Sequence, residues 1–278
     1  MEILLEEQNK KIGVFDSGVG GLSVLKQFLK YLPFEKYIYL GDTARVPYGN
    51  RSPETIKRYA KECADFLLSK DVKLIVVACH TVSSVALDVV ENLSNVPVVG
   101  MIKPAIKSAL LLSKNKKIGV IGTRATISSN SYQDSLLKSS VNREVEVYAR
   151  ECPLFVPLVE EGFINHPATK LIAQEYLADF PNFNIDTLIL GCTHYPLLSK
   201  IISEILPEVE LIDSGEQAAI YSLRLLAEKN LLVREGDLIS KKPEIEFYLT
   251  DYTHYFPEIA QTFLGFKVEN VNFVSLSS

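Results

Sequence analysis

Short apolar, β-branched segments alternate with longer amphipathic segments along the chain from Lys11 onward. This order is typical of βα units, in which helices cover a sheet of parallel strands, and it restricts the fold to the α/β class. We predict strands at residues 11–15, 36–40, 74–78, 98–101, 117–121, 144–149, 187–190, 209–212 and 246–249. We predict helices between them, at residues 22–30, 53–70, 82–93, 129–138, 168–180, 197–205 and 216–228.

The sequence also contains an internal repeat. Residues 10–14, KKIGV, recur letter for letter at residues 116–120. Each copy is followed by an apolar strand that ends in a small residue, with a cysteine and a threonine close behind. Cys79 lies 69 residues after the first lysine of its copy, and Cys192 lies 76 residues after the first lysine of the other. The same landmarks in the same order predict a duplicated α/β unit.

The duplication predicts a domain organisation. We expect two α/β units with parallel sheets, and if these units face each other across a cleft, each presents one of the two cysteines from its own side. Residues 11–104 plus 213–278 would form the first domain, and residues 105–212 the second. Ligands of open parallel sheets bind outside the carboxyl ends of the strands, which is where both cysteines fall.

Composition excludes several classes of function. The 29 Lys and Arg residues against 34 Asp and Glu residues give a net charge of -5, without the basic excess that binds nucleic acid. The longest apolar runs, such as residues 74–79, fall far short of the roughly 20 residues that a membrane-spanning helix needs. Four cysteines without C-x-x-C spacing indicate a reducing compartment, so we expect a cytoplasmic protein that binds neither nucleic acid nor membrane.

Cys79 and Cys192 carry the strongest chemical signal. Each follows a strand, one or two positions before a threonine and beside the start of a helix, where unpaired amides lower the pKa of a thiol. Such thiols suit reversible proton transfer, and nearby carboxylates can relay the proton. Three alternatives stay open on the residues alone. The cysteines could be inert core residues, zinc ligands together with His80 and His194 despite an unusual spacing, or the nucleophile of a Cys-His hydrolase.

Three further segments allow both a functional and a structural interpretation. Residues 16–21, DSGVGG, either present amides to a substrate or form a tight turn with Asp16 or Ser17 as helix cap. Residues 41–49 form a shaped loop whose Arg45 binds a carboxylate of a ligand or of the protein. Residues 153–162 form a buried loop that ends in a solvated acidic pair, or they bring Glu160 to the second cysteine.

Five segments together carry a resemblance to a known family. The chain resembles the bacterial glutamate racemases of the cofactor-independent aspartate/glutamate racemase superfamily, from about Lys11 to at least Ser214. The matching segments are FDSGVGG (15–21), GDTARVPYG (41–49), VVACHT (76–81), CPLFVPLVEEG (152–162) and GCTHYPLL (191–198). The resemblance implies two pseudo-symmetric domains around the active site, a homodimer, glutamate as substrate, no pyridoxal phosphate and a supply of D-glutamate for peptidoglycan.

The resemblance also implies roles for individual residues. Cys79 and Cys192 would be the two acid/base residues on opposite faces of the substrate α-carbon. Asp16 would assist Cys79, whereas Glu160 and His194 would assist Cys192. The positions expected to hold the substrate are Asp16, Ser17, Tyr48, Gly49, His80, Thr81, Thr193 and His194.

Two residues depart from the family pattern. His80 stands where the family usually has asparagine, so a larger ring that titrates near neutrality replaces an amide. Lys103 stands where the family commonly has glutamate. The sequence therefore leaves two further hypotheses: a racemase or isomerase of another small acid, and a binding or regulatory protein that has lost the chemistry.

Overall fold

The computed structural model describes residues 2–140, 144–233, 244–252, 256–268 and 270–276. The described strands form two sheets, in which every pair of neighbours is parallel. The first sheet consists of β1 (Ile12–Asp16), β2 (Tyr37–Gly41), β3 (Leu74–Val77), β4 (Val98–Gly100), β9 (Ile245–Leu249) and β10 (Val271–Phe273). The second consists of β5 (Lys117–Gly122), β6 (Glu146–Glu151), β7 (Thr187–Gly191) and β8 (Glu210–Asp213).

The two sheets repeat one strand order. The first runs β10-β9-β2-β1-β3-β4 and the second β6-β5-β7-β8, so β2-β1-β3-β4 corresponds to β6-β5-β7-β8. The repeated KKIGV segment leads into β1 in the first sheet and into β5 in the second. Consequently β3 and β7, which precede Cys79 and Cys192, occupy equivalent positions. The predicted α/β fold with two pseudo-symmetric parallel sheets is confirmed.

The helices cover the sheets. They are α1 (Glu2–Asn9), α2 (Leu22–Tyr31), α3 (Pro53–Ser69), α4 (His80–Val85), α5 (Leu87–Leu93), α6 (Ile102–Leu112), α7 (Arg124–Ser128), α8 (Ser131–Ser139), α9 (Phe155–Glu160), α10 (Pro167–Leu177), α11 (Phe180–Phe183), α12 (Ser199–Ile205), α13 (Ser214–Glu228) and α14 (Phe256–Leu264). Short 3₁₀ helices lie at Thr43–Arg45, Tyr48–Asn50 and Tyr195–Leu198. None of the helices among the described residues has both the length and the apolar character to cross a bilayer.

The central strands are buried because helices pack on both faces of each sheet. Every residue of β1, β2, β3 and β7 is buried, which explains their continuous apolar runs. All nine predicted strands are confirmed, with ends that shift by at most two residues. The prediction lacked β10, because this strand has only three residues and is partly exposed.

The helix predictions needed several corrections. They lacked α1, α7, α9, α11 and α14, and the helix predicted at residues 168–180 ends at Leu177. The predicted helix at residues 82–93 is wrong as a single element, because the chain leaves the helical conformation at Ala86 (φ -142°) and α4 and α5 are separate. The prediction also lacked α6, although Pro104 is compatible with a helix there. Proline is tolerated in the first turn, where backbone amides have no intrahelical acceptor.

The predicted division at residues 11–104 plus 213–278 and 105–212 stays a prediction. The strands fall on the expected sides of it, but residue 104 lies inside α6, and α13 packs against both α2 and α6. Within the predicted C-terminal part, residues 234–243, 253–255, 269, 277 and 278 lie outside the described residues.

A buried ion pair attaches the first ten residues, for which the sequence indicated no role. Lys73 and Glu35 are fully buried, with Nζ and Oε2 2.5 Å apart. The Lys73 ammonium also donates to the backbone carbonyls of Gln8 (2.6 Å) and Leu231 (2.8 Å). Burial lowers the pKa of Lys73 and raises that of Glu35. The pair therefore joins the end of α1 and the segment after α13 to the first sheet.

Candidate active site

A cleft of about 540 Å³ opens at the carboxyl ends of both sheets. Loops that follow β1, β2 and β3 line it from the first half, and loops that follow β5, β6 and β7 line it from the second. Both Cys79 and Cys192 are among the lining residues. This is the position that parallel sheets favour for a ligand, because strand ends there deliver backbone amides and short polar side chains to one place.

Cys79 lies at the N-terminus of α4, and its thiol donates a hydrogen bond to Oγ of Ser17 at 3.5 Å. Burial raises the pKa of Cys79 to about 12, and the charges of Asp16 and Cys192 add to this effect. Hydrogen bonds from Ser17 and from the Val82 amide act in the opposite direction but are weaker. The expected net lowering of this pKa is therefore wrong for Cys79: the amides of the helix act in the expected direction, but desolvation of the thiolate outweighs them.

Asp16 lies beneath the cleft at the end of β1. Its side chain is 1% exposed, and Oδ2 accepts a hydrogen bond from the Gly18 amide at 3.0 Å. Oδ1 has no hydrogen-bond partner among the described residues. Burial raises the pKa of this carboxyl. The negative charge of Asp16 raises the pKa of Cys79, although Asp16 is not one of the residues that line the cleft.

A chain of three side chains supports the other cysteine. The Cys192 Sγ lies 3.7 Å from Nδ1 of His194, and the His194 Nε2 lies 2.9 Å from Oε1 of Glu160. Burial by itself would lower the pKa of His194, but the hydrogen bonds with Cys192 and Glu160 raise it to about 10. The imidazole is therefore protonated at neutral pH, and it places a positive charge beside the Cys192 sulfur.

Glu160 reaches its position because residues 155–160 are helical. The sequence allowed a buried loop here, and that interpretation is wrong: α9 ends at Glu160 and directs it to His194. The alternative in which Glu160 acts on the second cysteine fits the structure, with His194 as the intermediary.

The first half of the molecule supports functional groups of the second. Ser23 of α2 donates to the backbone carbonyl of Thr193 at 2.6 Å. The backbone at Gly20 passes so close to His194 that a Cβ atom there would lie 2.3 Å from the imidazole. The loop after β1 can therefore approach the second half only with glycine at position 20.

Thr81 makes a similar contact across the cleft. Its hydroxyl lies 3.0 Å from that of Thr123, and Thr123 also lines the cleft. Thr123 was not among the predicted site residues, although the repeat contains a signal for it. Thr123 follows Lys117 by the same six positions that separate Ser17 from Lys11. Alignment of the two copies would have paired these hydroxyls.

The loop after β2 contributes Tyr48 and Gly49 to the cleft. The Tyr48 hydroxyl donates to Asp42, so the cleft receives other atoms of this residue. Arg45 pairs with Asp42 (2.6 Å) and with Glu62, and these contacts place it in a structural ion pair. The interpretation of Arg45 as a ligand-binding group has no support in this geometry.

His80 lines the cleft, but the residue is only 3% exposed. The ring stacks on Tyr132 with 6.5 Å between ring centres, and neither ring nitrogen has a hydrogen-bond partner within the described residues. Burial and the charge of His194 lower the pKa of His80 to about 3. The expectation that this residue titrates near neutrality is therefore wrong, because the protonated ring could not be solvated there.

The zinc alternative finds no cluster to support it. Cys192 and His194 lie together, but the described parts of the chain contain no group of three or more His, Cys, Asp or Glu side chains arranged to hold a metal ion.

The paired cysteines and the duplicated fold agree with comparisons to known proteins. The sequence profile described as Asp/Glu/Hydantoin racemase matches residues 12–220. The chain belongs to the Asp/Glu/hydantoin racemase family. It is 47% identical over 267 residues to the glutamate racemase of Chlorobaculum tepidum, with 95% of this chain and 96% of that protein covered.

Solved racemase structures are similar over nearly the full length. The glutamate racemase of Francisella tularensis in complex with D-glutamate has a TM-score of 0.89 and 41% sequence identity, with 97% of this chain and 98% of that chain covered. The glutamate racemase of Thermus thermophilus in complex with β-chloro-D-alanine has a TM-score of 0.85 and 45% identity, with 97% and 98% covered. The racemase fold therefore extends over the whole arrangement described above.

Proposed function

We propose that this protein is a glutamate racemase, which interconverts L- and D-glutamate by proton transfer between Cys79 and Cys192 without pyridoxal phosphate. One observation carries the proposal: the cysteines follow equivalent strands of the two halves and line the same cleft. Similarity to glutamate racemases, one of them solved with D-glutamate, supports glutamate as the substrate.

In one direction the reaction begins at Cys192. The charge of the protonated His194, 3.7 Å from Sγ, stabilises a thiolate there, and Glu160 holds the imidazolium in place. The thiolate removes the α-proton of glutamate and becomes a thiol. The α-proton is a weak acid, so the cleft must exclude water and present donors to the carboxylate on which negative charge develops.

Cys79 completes the inversion from the other half. Its raised pKa keeps it protonated at neutral pH, so it delivers a proton to the α-carbon and is left as a thiolate. The Ser17 hydroxyl and the Val82 amide stabilise this thiolate by hydrogen bonds. In the reverse direction the two cysteines exchange roles, and Asp16 assists the transfer at Cys79 through its charge.

Short polar groups and backbone on both sides of the cleft hold the substrate. Hydroxyl groups that line the cleft suit the ammonium and the carboxylates, and glycine at position 49 lets the backbone approach. Asp16 acts from outside the lining, and His80 shapes the cleft as a neutral ring. The hydroxyl groups that line the cleft and bind the substrate in this proposal belong to Ser17, Thr81 and Thr193.

The remaining assignments of the proposal come from the family resemblance, for the homodimer and the metabolic role, and from the composition and the internal repeat, for the compartment, the partners and the domain bounds. The enzyme acts in the cytoplasm as a homodimer, and its D-glutamate enters peptidoglycan synthesis. The enzyme acts on a small molecule and binds neither nucleic acid nor membrane. Each protomer consists of two domains, residues 11–104 plus 213–278 and residues 105–212, with the active site between them.

Incubation of the purified protein with L-glutamate in heavy water tests the proposal. We expect α-deuterated D-glutamate to accumulate without added pyridoxal phosphate, and Cys79→Ala and Cys192→Ala to lose turnover by several powers of ten. Exchange with aspartate or a hydantoin but not with glutamate would indicate a different substrate. Absence of exchange with all three would contradict the racemase activity and favour a binding protein.

A further inference from the structure

The C-terminal helix α14 reaches the catalytic machinery of the second half. Phe263 on this helix is 1% exposed, and its ring meets the imidazole of His194 edge to face, with 5.4 Å between ring centres and an angle of 89° between the planes. Both residues belong to the buried interior, so the contact is not solvated. Nothing in the function proposed above uses Phe263.

His194 must keep one orientation to serve both of its partners. Nδ1 faces Cys192 and Nε2 faces Glu160, so the two contacts determine the plane of the ring. The Glu160 side chain is 39% exposed, so water competes with the imidazole for this carboxylate and the ion pair alone leaves the ring some freedom of rotation. The orientation therefore needs apolar contacts on the remaining sides of the ring.

Two elements of the first half provide these contacts. Gly20 lies against the Cε1 and Nδ1 side of the imidazole, as the close approach of a Cβ at that position demonstrates. Phe263 lies against the ring from α14, which packs on α2, the helix that follows Gly20. Edge-to-face aromatic contacts prefer a defined geometry, so Phe263 restricts rotation of the imidazole.

We propose that Phe263 is a positioning residue, which holds the imidazole of His194 between Cys192 and Glu160 and thereby couples the C-terminal helix to proton transfer on the Cys192 side. This inference rests on the proposed function for its catalytic consequence. The ionisable groups around His194 are Cys192 and Glu160, which it contacts, and Asp16 and His80, on which its charge acts through space.

A substitution on the same helix provides a matched control. Phe263→Leu retains apolar volume but removes the ring from His194. Phe256→Leu makes the same change at the other end of α14, where Phe256 is also 1% exposed. Both variants lose core packing, so any effect specific to Phe263→Leu reports on the contact with His194.

The first measurement does not depend on turnover. The chain has four histidines, and ¹⁵N-histidine spectra of His194→Asn identify the signal that belongs to His194. We expect the pKa of His194 to fall by about one unit or more in Phe263→Leu, because a mobile ring contacts Cys192 and Glu160 less. It should stay at the wild-type value in Phe256→Leu. An unchanged pKa in Phe263→Leu, or an equal fall in both variants, overturns the proposal.

The second measurement locates the effect on one of the two proton transfers. The equilibrium constant between enantiomers is unity, so kcat/KM must fall equally in both directions, by about tenfold for Phe263→Leu. The primary deuterium isotope effects need not be equal. Slower proton transfer at Cys192 raises the isotope effect on kcat/KM for the enantiomer that Cys192 deprotonates. Ser17→Ala acts on the Cys79 side, so it should raise the isotope effect for the opposite enantiomer.

The isotope effects therefore have a defined expected pattern. Phe263→Leu should resemble His194→Asn, and a pattern like that of Ser17→Ala, or a symmetric one, overturns the positioning role. Failure of the proposed function is distinguishable. A wild-type protein without any α-proton exchange would refute the racemase, while a lower His194 pKa in Phe263→Leu alone would still support positioning of the ring.

Discussion

Replacement of Glu160 by glutamine separates the charge of this residue from its hydrogen bond. The amide oxygen of glutamine still accepts from Nε2 of His194, whereas the negative charge is lost. Charge centres about 4 Å apart interact by about 4 kcal/mol at an effective dielectric constant of about 20. The Glu160 side chain is 39% exposed, so solvent screening reduces this to about 1.4–2.8 kcal/mol, which corresponds to about 1–2 pKa units.

The direction of the effect follows from the sign of the charge. Glu160 helps to raise the pKa of His194 to about 10, so its neutralisation lowers that pKa. The imidazolium is then lost at a lower pH, and the alkaline limb of kcat/KM should move to lower pH by about 1–2 units. The assay is racemisation of glutamate followed across the neutral and alkaline range.

The adjacent residue supplies the control. Glu161 is also exposed at the end of α9, but it does not contact His194, so Glu161→Gln should leave the alkaline limb in place. The reasoning is refuted if Glu160→Gln leaves the limb unchanged, moves it to higher pH, or has no larger effect than Glu161→Gln.

Three more predictions concern burial and close packing. Lys73→Met leaves the carboxylate of Glu35 buried without its partner, so the free energy of unfolding in urea should fall by about 3–5 kcal/mol, and Glu35→Gln in addition should restore part of it. Gly20→Ala forces a Cβ to within 2.3 Å of the His194 ring, so kcat/KM should fall by about tenfold or more while the far-ultraviolet circular dichroism stays unchanged. His80 has a pKa of about 3 in the folded protein, so below neutrality the unfolded chain binds more protons than the folded one. The free energy of unfolding therefore falls as the pH falls. Between pH 7 and pH 5 this fall should be about 2 kcal/mol smaller in His80→Asn than in wild type.

Each of these predictions has a clear contrary result. Wild-type stability of Lys73→Met would mean that the buried pair contributes nothing, and full activity of Gly20→Ala would mean that His194 tolerates displacement. Equal pH dependence of unfolding in wild type and His80→Asn would place the His80 ring in water.

The sequence predicted the strands well because their signal is local. Buried parallel strands are continuous apolar runs, and β1, β3 and β7 can be recognised from their own residues. Helix α6 was overlooked, since Pro104 interrupts its local pattern although the first turn accepts it. The break at Ala86 has no comparable local signal, and the structure alone divides α4 from α5.

The candidate site was predictable to the extent that it follows the repeat. Cys79 and Cys192 could be paired from the sequence, because duplicated strands place their carboxyl ends at equivalent positions. Thr123 was predictable in the same way. Phe263 was not, since it lies outside the repeat and meets His194 only through the packing of α14 on α2.

By itself, the sequence determined the duplicated parallel-sheet architecture and the two cysteines at its strand ends, because strand patterns and strand-end positions depend on neighbours along the chain. The tertiary structure alone decided the protonation of the site. Cys79 has a raised pKa and His80 a lowered one because burial removes water from them, whereas His194 holds its proton because it contacts Glu160, 34 positions away in the chain. Desolvation and charge contacts of this kind depend on which segments meet in space, and that information is absent from any short stretch of sequence.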